Sequence, residues 1–355
     1  MSKFCPVCNS EIANTSKQWR NKVYCSQKCR KVSHRKQESK SKRAMQRRAN
    51  MSQNDEVLYL VRACQRAGTV QILTGHSIGS FLETMELVRN RPKGDVALCH
   101  VAPVKGKDSI GLFHCQNLFY GGKFQNRKFG KQYLGGGLSI SKKKLKRQWC
   151  VGADTPANDV LLLVEKFLGD IIPQYLELAP VRKSKKYQLT QKILELKPSA
   201  NTEALMALSY NALVTELGNL CHVRATSFST SLESKYITYM DGLSRFIKYG
   251  DNRKKMLCKL REALVVAYMA LERVKESGTN NKYFYVKYEP LIKHKYAYAV
   301  MRDPSKWSIF KDFIYDTAFW VLQGGDLDFK KFHKTMLSYL LFPQSIEELL
   351  GRDGF

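Results

Sequence analysis

The sequence predicts an α+β fold that is mostly α-helical. Three observations support this class. Four cysteines cluster within the first thirty residues, strand-like apolar runs are confined to residues 54–150, and apolar residues recur at three- and four-residue spacing through residues 155–355. With 355 residues the chain is too long for one ordinary core, so two or three domains are expected.

The charge balance is strongly basic, with 59 Lys and Arg against 31 Asp and Glu and a formal net charge of +28. Such a field attracts polyanions, so we expect DNA as the partner, with RNA not excluded. No segment approaches the ~18 apolar residues of a membrane span, and a membrane partner is not expected. The absence of a signal peptide predicts an intracellular location, the cytoplasm of a bacterial host if the protein is phage-encoded. The sequence indicates no oligomeric state.

Residues 1–35 are predicted to form a compact zinc module. Cys5 and Cys8 are separated by two residues, and Cys25 and Cys29 follow after sixteen more. Two such pairs supply a tetrahedral set of four thiolates, which leaves no open coordination position and therefore favours a structural Zn²⁺. So short a segment cannot bury enough apolar area to fold alone, and metal binding would supply the missing free energy.

The second cysteine pair has the spacing of a first helical turn, and a basic helix is expected to follow it. This segment resembles the small treble-clef-like zinc ribbons with a YCS..CR element that occur in many bacterial and phage proteins. Arg30, Lys31 and Arg35 would lie on that helix and contact nucleic acid.

Residues 36–53 are predicted to form a basic linker. The first fifty residues hold fourteen Lys or Arg and two acidic residues. Three interpretations remain open and are partly compatible: a solvated flexible connector, an extended basic helix, and an arm that contacts phosphates.

Residues 54–150 are predicted to form the second folded unit. A helical pattern ends at Gly68, and a second amphipathic helix ends before Pro92. Two apolar, strand-like stretches and a glycine-rich region follow. The unit closes with a basic run that we expect to contact phosphates, namely Lys142, Lys143 and Lys144.

The stretch VALCHVAPVKGKDSIGLFHCQNLFYGGKFQNRKFGK resembles the HNH motif of the His-Me finger nucleases. His100 follows a strand-like run, Asn117 lies seventeen residues later, and Asn126 lies nine residues after that. The resemblance covers about forty residues. It implies a ββα-metal core and a metal-dependent DNA endonuclease.

The resemblance also implies a role for each matching residue. His100 would be the general base that deprotonates water. Asn117 would hydrogen-bond the backbone across the histidine loop. Asn126 would bind one catalytic divalent metal, namely Mg²⁺, Mn²⁺, Ni²⁺ or Zn²⁺, and Arg127 and Lys128 would contact phosphate.

One position departs from the family pattern. Cys99 stands where the family carries a metal-binding Asp or His, and a thiolate is a poor ligand for Mg²⁺. Three outcomes follow: Cys99 binds a softer ion, Asp108 or His114 is recruited in its place, or the site has lost catalysis.

Residues 155–355 are predicted to form an all-α, basic helical domain, whose periodicity argues only for a packed core.

The sequence supports two candidate functions. The first is the endonuclease. The alternative is a non-catalytic, zinc-containing nucleic-acid-binding protein, such as a regulator or a packaging or assembly accessory, with a degenerate HNH fold.

Overall fold

The computed structural model describes residues 3–14, 19–92, 94–130, 132–178, 185–220, 235–250, 252–274 and 282–343. Within these residues the chain is mostly α-helical, with three antiparallel sheets of two short strands each. Four cysteines lie close together near the N-terminus. The mostly helical α+β class predicted from the sequence is confirmed at this level.

Fourteen α-helices occur in the described residues. In chain order they are α1 (Gln27–Ala49), α2 (Asp55–Ala67), α3 (Ile78–Arg89), α4 (Lys123–Phe129), α5 (Ala157–Leu168), α6 (Ile171–Leu178), α7 (Lys185–Leu196), α8 (Thr202–Ala207), α9 (Tyr210–Leu220), α10 (Lys235–Tyr249), α11 (Lys254–Glu272), α12 (Lys282–Lys287), α13 (Trp307–Leu322) and α14 (Phe329–Tyr339).

The strands form three separate antiparallel pairs. They are β1 (Val96–His100), β2 (Ser109–Gly111), β3 (Leu118–Gly122), β4 (Ser139–Ser141), β5 (Val300–Met301) and β6 (Leu340–Leu341). Strand β1 pairs with β3, β2 with β4, and β5 with β6. In the first pair His100 lies opposite Leu118, and in the second Ser109 lies opposite Ser141.

The chain divides into two compact units, and the first comprises residues 1–58 and 168–224. It contains the cysteine cluster, the long helix α1, and helices α6 to α9. The Arg47 guanidinium of α1 donates to the carbonyls of Leu176 and Glu177, at 2.6 and 3.0 Å. These carbonyls lie in the last turn of α6, where a cation is favourable because the helix dipole is negative there. Because α1 extends to Ala49, most of residues 36–53 belongs to one continuous helix, which is one of the three interpretations left open.

The second unit comprises residues 59–167 and 225–355. Its apolar core joins Cys99, Val101 and Phe119 to residues of α10, α11, α13 and α14. The rings of Phe119 and Phe319 meet edge to face, with centroids 5.2 Å apart. The Tyr239 hydroxyl of α10 accepts a 2.9 Å hydrogen bond from the Gly122 N–H at the end of β3.

The strands and the C-terminal helices therefore share one core. The sequence boundary drawn between residues 150 and 155 separates residues that the structure packs together. Helical periodicity marks which face of a helix is buried but does not identify the surface that covers it.

Candidate functional site

The first cysteine pair sits in a tight backbone turn. The Cys5 N–H donates to the Ser10 carbonyl at 2.9 Å, and the Asn9 N–H donates to the Cys5 carbonyl at 2.8 Å. Asn9 has a φ of 55°, in the left-handed region that Asn tolerates better than most residues. The turn therefore directs the thiols of Cys5 and Cys8 toward one point.

The second pair lies at the start of α1. The Ser26 side chain accepts a hydrogen bond from the Cys29 N–H and caps the helix. Cys25 precedes the cap and Cys29 lies in the first turn, so the helix N-terminus sets the separation of the two thiols. The predicted position of this pair at a helix start is confirmed.

The four thiols are spaced as a tetrahedral metal site requires. The sulfur–sulfur distances are 3.3 Å for Cys8 and Cys25, 3.5 Å for Cys25 and Cys29, and 3.7 Å for Cys29 and Cys8. A tetrahedron with Zn–S bonds of about 2.3 Å has edges of about 3.8 Å. All four sulfurs, Cys5 included, lie within 4.8 Å of one another, so the cluster could hold a metal ion such as zinc.

The pKa values of the cluster's thiols shift in both directions: a hydrogen bond with the Cys25 backbone lowers the pKa of Cys5 to about 6, and one with the Ser10 side chain lowers that of Cys8. Hydrogen bonds with the thiols of Cys8 and Cys29 raise the pKa of the Cys25 thiol to about 12. A Zn²⁺ ion bound at the cluster would lower the pKa of these thiols, because it coordinates thiolates and displaces their protons.

Helix α1 carries most of the basic charge near this cluster. Its 23 residues include ten Lys or Arg and one acidic residue. The predicted contact residues Arg30, Lys31 and Arg35 are exposed. An open pocket with a volume of about 990 Å³ lies at the N-terminal turn of α1, and Lys22 and Arg30 are among the residues that line it.

The residues that resemble the HNH motif form a strand–loop–strand–helix unit. Strand β1 ends at His100, β3 begins directly after Asn117, and α4 follows β3 and carries Asn126. The Val101 N–H donates to the Asn117 carbonyl at 2.9 Å and extends the β1–β3 pairing beyond His100.

His100 is partly buried at the end of β1. Burial lowers its pKa to about 3, and the positive charge of Arg66 adds to the shift. The imidazole is therefore neutral at physiological pH, which a general base requires, but its proton affinity is low.

Asn117 is fully buried and ties three chain segments together. Its Oδ1 accepts from the N–H groups of Ala102 and Leu138, at 2.8 and 3.2 Å. Its Nδ2 donates to the carbonyls of Ala102 and Leu112, at 3.3 and 2.8 Å. This side chain therefore fixes both ends of the loop that follows His100.

Two glycines permit the close approach of backbone to Asn117. A Cβ on Gly137 would lie 2.3 Å from the Asn117 Oδ1, and one on Gly111 would lie 1.8 Å from the Ala102 carbonyl oxygen. Gly137 also has a φ of +80°. The glycine-rich composition near residue 136 predicts sharp turns, but nothing in the sequence pairs residue 137 with Asn117.

Cys99 occupies the apolar core and does not fit a metal ligand. Its side chain is 2% exposed and packs with Phe119 and the C-terminal helices. Burial raises the pKa of its thiol to about 12, so the thiol stays protonated. Successive side chains of a strand point to opposite faces, so Cys99 and His100 face away from each other. This placement argues against the expectation that Cys99 binds metal.

Asn126 is partly buried on α4, and its Oδ1 lies toward Gly130, where an added Cβ would be 2.7 Å away. Among the residues that the structure describes, no hydrogen bond or ring contact joins Asn126 to His100. The alternative ligand His114 accepts a hydrogen bond from the Gln116 N–H through Nδ1 and stacks on His76 at 4.6 Å. Asp108 is exposed.

Around His100, the described residues therefore do not bring together the ligands of a second metal site. In the described ranges, only the four N-terminal cysteines bring three or more His, Cys, Asp or Glu ligand atoms together. Asn126 alone offers one neutral oxygen, which is too few ligands for a divalent cation.

The basic residues near this unit differ in their availability. Arg127 and Lys142, Lys143 and Lys144 are exposed. Lys128 forms a 2.6 Å ion pair with Asp316 of α13, so its charge is partly neutralised within the protein. This pairing weakens the expectation that Lys128 contacts phosphate, and the sequence could not reveal it because Asp316 lies 188 residues away.

Comparisons with known proteins add no relative: no protein-family model, curated protein or solved structure matches the chain. None of the helices in the described residues has the length and apolar character needed to cross a membrane.

Proposed function

We propose that this protein binds nucleic acid and that α1, held at its first turn by zinc on four cysteines, is the principal contact. The observation that carries the proposal is the position of Cys25 and Cys29 at the start of a helix with ten Lys or Arg and one acidic residue. A metal that fixes this turn would hold the nearby Lys and Arg residues of α1 in place before nucleic acid binds. Binding then avoids the entropic cost of ordering that part of the helix.

The composition of α1 supports the same conclusion. A helix that is polar all round gains little from packing, and ten like charges repel one another. A nucleic acid backbone relieves this repulsion, because each phosphate that pairs with Lys or Arg releases a counterion. Exposed Arg30 and Lys31 lie one turn or less from the cysteine cluster, where the helix is best fixed.

The test is a binding titration with a labelled DNA duplex at several salt concentrations. The triple variant Arg30→Gln, Lys31→Gln, Arg35→Gln should bind roughly 10–100-fold more weakly, and its salt slope should fall by about 0.9 for each phosphate that it no longer neutralises. A matched control removes three exposed lysines of α14, namely Lys330, Lys331 and Lys334. Equal affinities for the two triple variants would contradict the proposal.

Zinc dependence gives a second arm of the test. Cys25→Ser should weaken DNA binding, because the first turn of α1 loses its anchor. Cys150→Ser is the control, since Cys150 is an exposed thiol outside the cluster. DNA affinity that is unchanged in Cys25→Ser would show that zinc does not organise the contact.

Hydrolysis of phosphodiester bonds in DNA is the second candidate function, favoured by the order of β1, loop, β3 and α4 around His100. The neutral His100 would accept a proton from the attacking water, and Asn117 would hold the loop that positions it. No step is assigned to a metal ion, because Cys99 and Asn126 do not form a site for one.

A nicking assay on supercoiled plasmid tests this candidate, first with EDTA and then with Mg²⁺, Mn²⁺, Ni²⁺ and Zn²⁺ supplied in turn. Under this candidate, nicking is lost in His100→Ala and kept in His333→Ala, a substitution of an exposed histidine on α14. DNA binding without nicking under every ion would instead support the non-catalytic alternative.

A further inference from the structure

Sheet pairing brings together two lysine-rich segments that are distant in the sequence. Strand β2 pairs with β4 so that Ser109 lies opposite Ser141. The pairing is antiparallel, so the residues before Ser109 lie beside the residues after Ser141. The Lys142 N–H donates to the Asp108 carbonyl at 3.0 Å and continues the ladder one step further. The turn with Lys105 and Lys107 therefore adjoins the run Lys142–Lys144.

The backbone of the second segment is firmly anchored. Gln71, which is 6% exposed, donates through Nε2 to the Lys144 carbonyl at 3.3 Å. Its Oε1 accepts from the Lys146 N–H at 2.6 Å. Residues Lys142–Lys144 form one turn of 3₁₀ helix, and the Ser141 hydroxyl accepts from the Lys143 N–H.

The first segment is held by a close backbone approach. A Cβ on Gly106 would lie 2.6 Å from the Ser109 carbonyl oxygen, so the turn between Lys105 and Lys107 packs tightly against its own chain. Its two lysines are exposed, like those of the second segment.

The combined surface is called the lysine platform and consists of Lys105, Lys107, Lys142, Lys143, Lys144 and Lys146. Asp108 is the only acidic residue in its two segments, residues 105–108 and 139–147. Within the described part of the chain, none of the six side chains forms an ion pair. Six exposed charges on an anchored backbone repel one another, and no ion pair to these lysines among the described residues offsets that repulsion.

We propose that the lysine platform binds the phosphate backbone of duplex DNA. The proposal rests on the proposed function and adds a second contact surface, in the unit that carries His100. Charge complementarity favours a polyanion, and the platform holds no aromatic side chain. Surfaces that bind single strands combine cations with aromatic residues on which exposed bases stack, so an aromatic-free platform favours a duplex, whose bases are covered.

The test compares five full-length proteins in duplex binding over a range of salt. One variant carries Lys142→Gln, Lys143→Gln and Lys144→Gln, and a second carries Lys105→Gln and Lys107→Gln. The other three are the α1 triple variant, the α14 control triple variant and the wild type. Each platform variant should lower the salt slope by about 0.9 for each phosphate left without its lysine, and the affinity losses of the two variants should multiply to roughly 100-fold.

The outcomes separate this proposal from the one on which it rests. If the α1 variant binds the duplex more weakly than the wild type does, but both platform variants bind it as tightly as the α14 control, the lysine platform is refuted and the proposed role of α1 stands. A wild type that does not bind the duplex overturns both. The platform proposal also fails if the platform variants bind duplex DNA normally but bind a single strand of equal length, or phosphatidylserine vesicles, more weakly than the wild type does. Circular dichroism checks that the variants stay folded.

Discussion

Replacing Asn117 with Ala should destabilise the second unit strongly. The substitution removes all four hydrogen bonds of the side chain and leaves the N–H groups of Ala102 and Leu138 without another partner in the described residues. A buried backbone group that loses its partner costs about 1–3 kcal/mol. We therefore expect a loss of about 3–5 kcal/mol in the free energy of unfolding, measured by urea denaturation with circular dichroism.

A graded comparison identifies the cause of the loss. Asn117→Asp keeps one acceptor oxygen but replaces the donor with a second oxygen, which faces the carbonyl oxygens of Ala102 and Leu112. Because these oxygens repel one another, the substitution should also lower the free energy of unfolding at pH 7. That loss should shrink as the pH falls, because a protonated carboxyl can donate again. The control Asn90→Ala alters an exposed amide and should stay within about 0.5 kcal/mol of wild type. An Asn117→Ala protein within about 1 kcal/mol of wild type would refute the reasoning.

Three further predictions follow from the same structure. Gly137→Ala should cost about 2 kcal/mol more than Gly135→Ala, because both glycines have positive φ but only residue 137 would press on a neighbour; urea midpoints decide this. The free energy of unfolding should fall by about 1–2 kcal/mol between pH 6.5 and 5 through His100, since the unfolded histidine takes up a proton there and the folded one, with a pKa of about 3, does not. His100→Gln should remove that part of the fall and leave the part from His76, whose pKa burial lowers to about 4. Mass spectrometry of the metal content should find one zinc per chain, lost in Cys29→Ser and kept in Cys150→Ser, and retention in Cys29→Ser would exclude the four-cysteine site.

The cluster of four cysteines is the part of the molecule that the sequence predicts best. Its four cysteines come from two short segments, so their spacing alone predicts that the four thiols lie close together. The helix start at Cys29 follows from local rules as well, because Ser26 is a favoured N-cap residue. Predictions of this kind succeed when the interacting groups lie within a few residues of one another.

The histidine region shows where such reasoning ends. The apolar run at residues 96–100 predicts strand β1, and the resemblance to the HNH motif implies the order of strand, loop, strand and helix. The strand that pairs with β1 begins after Asn117, at Leu118, and not at the apolar stretch that precedes Asn117. The burial of Cys99 was not predictable, because it depends on α13, whose Phe319 packs on the same strand pair from about two hundred residues away. The pairing of Lys128 with Asp316 and the hydrogen bond from the Lys142 N–H to the Asp108 carbonyl are long-range in the same sense.

The electrostatics of His100 connect the two proposed functions. With a pKa of about 3 the imidazole is a weak base in the free protein, because burial and Arg66 both oppose its protonation. A phosphate backbone seated on the lysine platform brings negative charge to the loop that begins after His100, and negative charge near a histidine raises its pKa. Binding of DNA would then strengthen His100 as a base. If the unit is not catalytic, the same shift appears as proton uptake on DNA binding at acidic pH, above the starting pKa of about 3, without any cleavage.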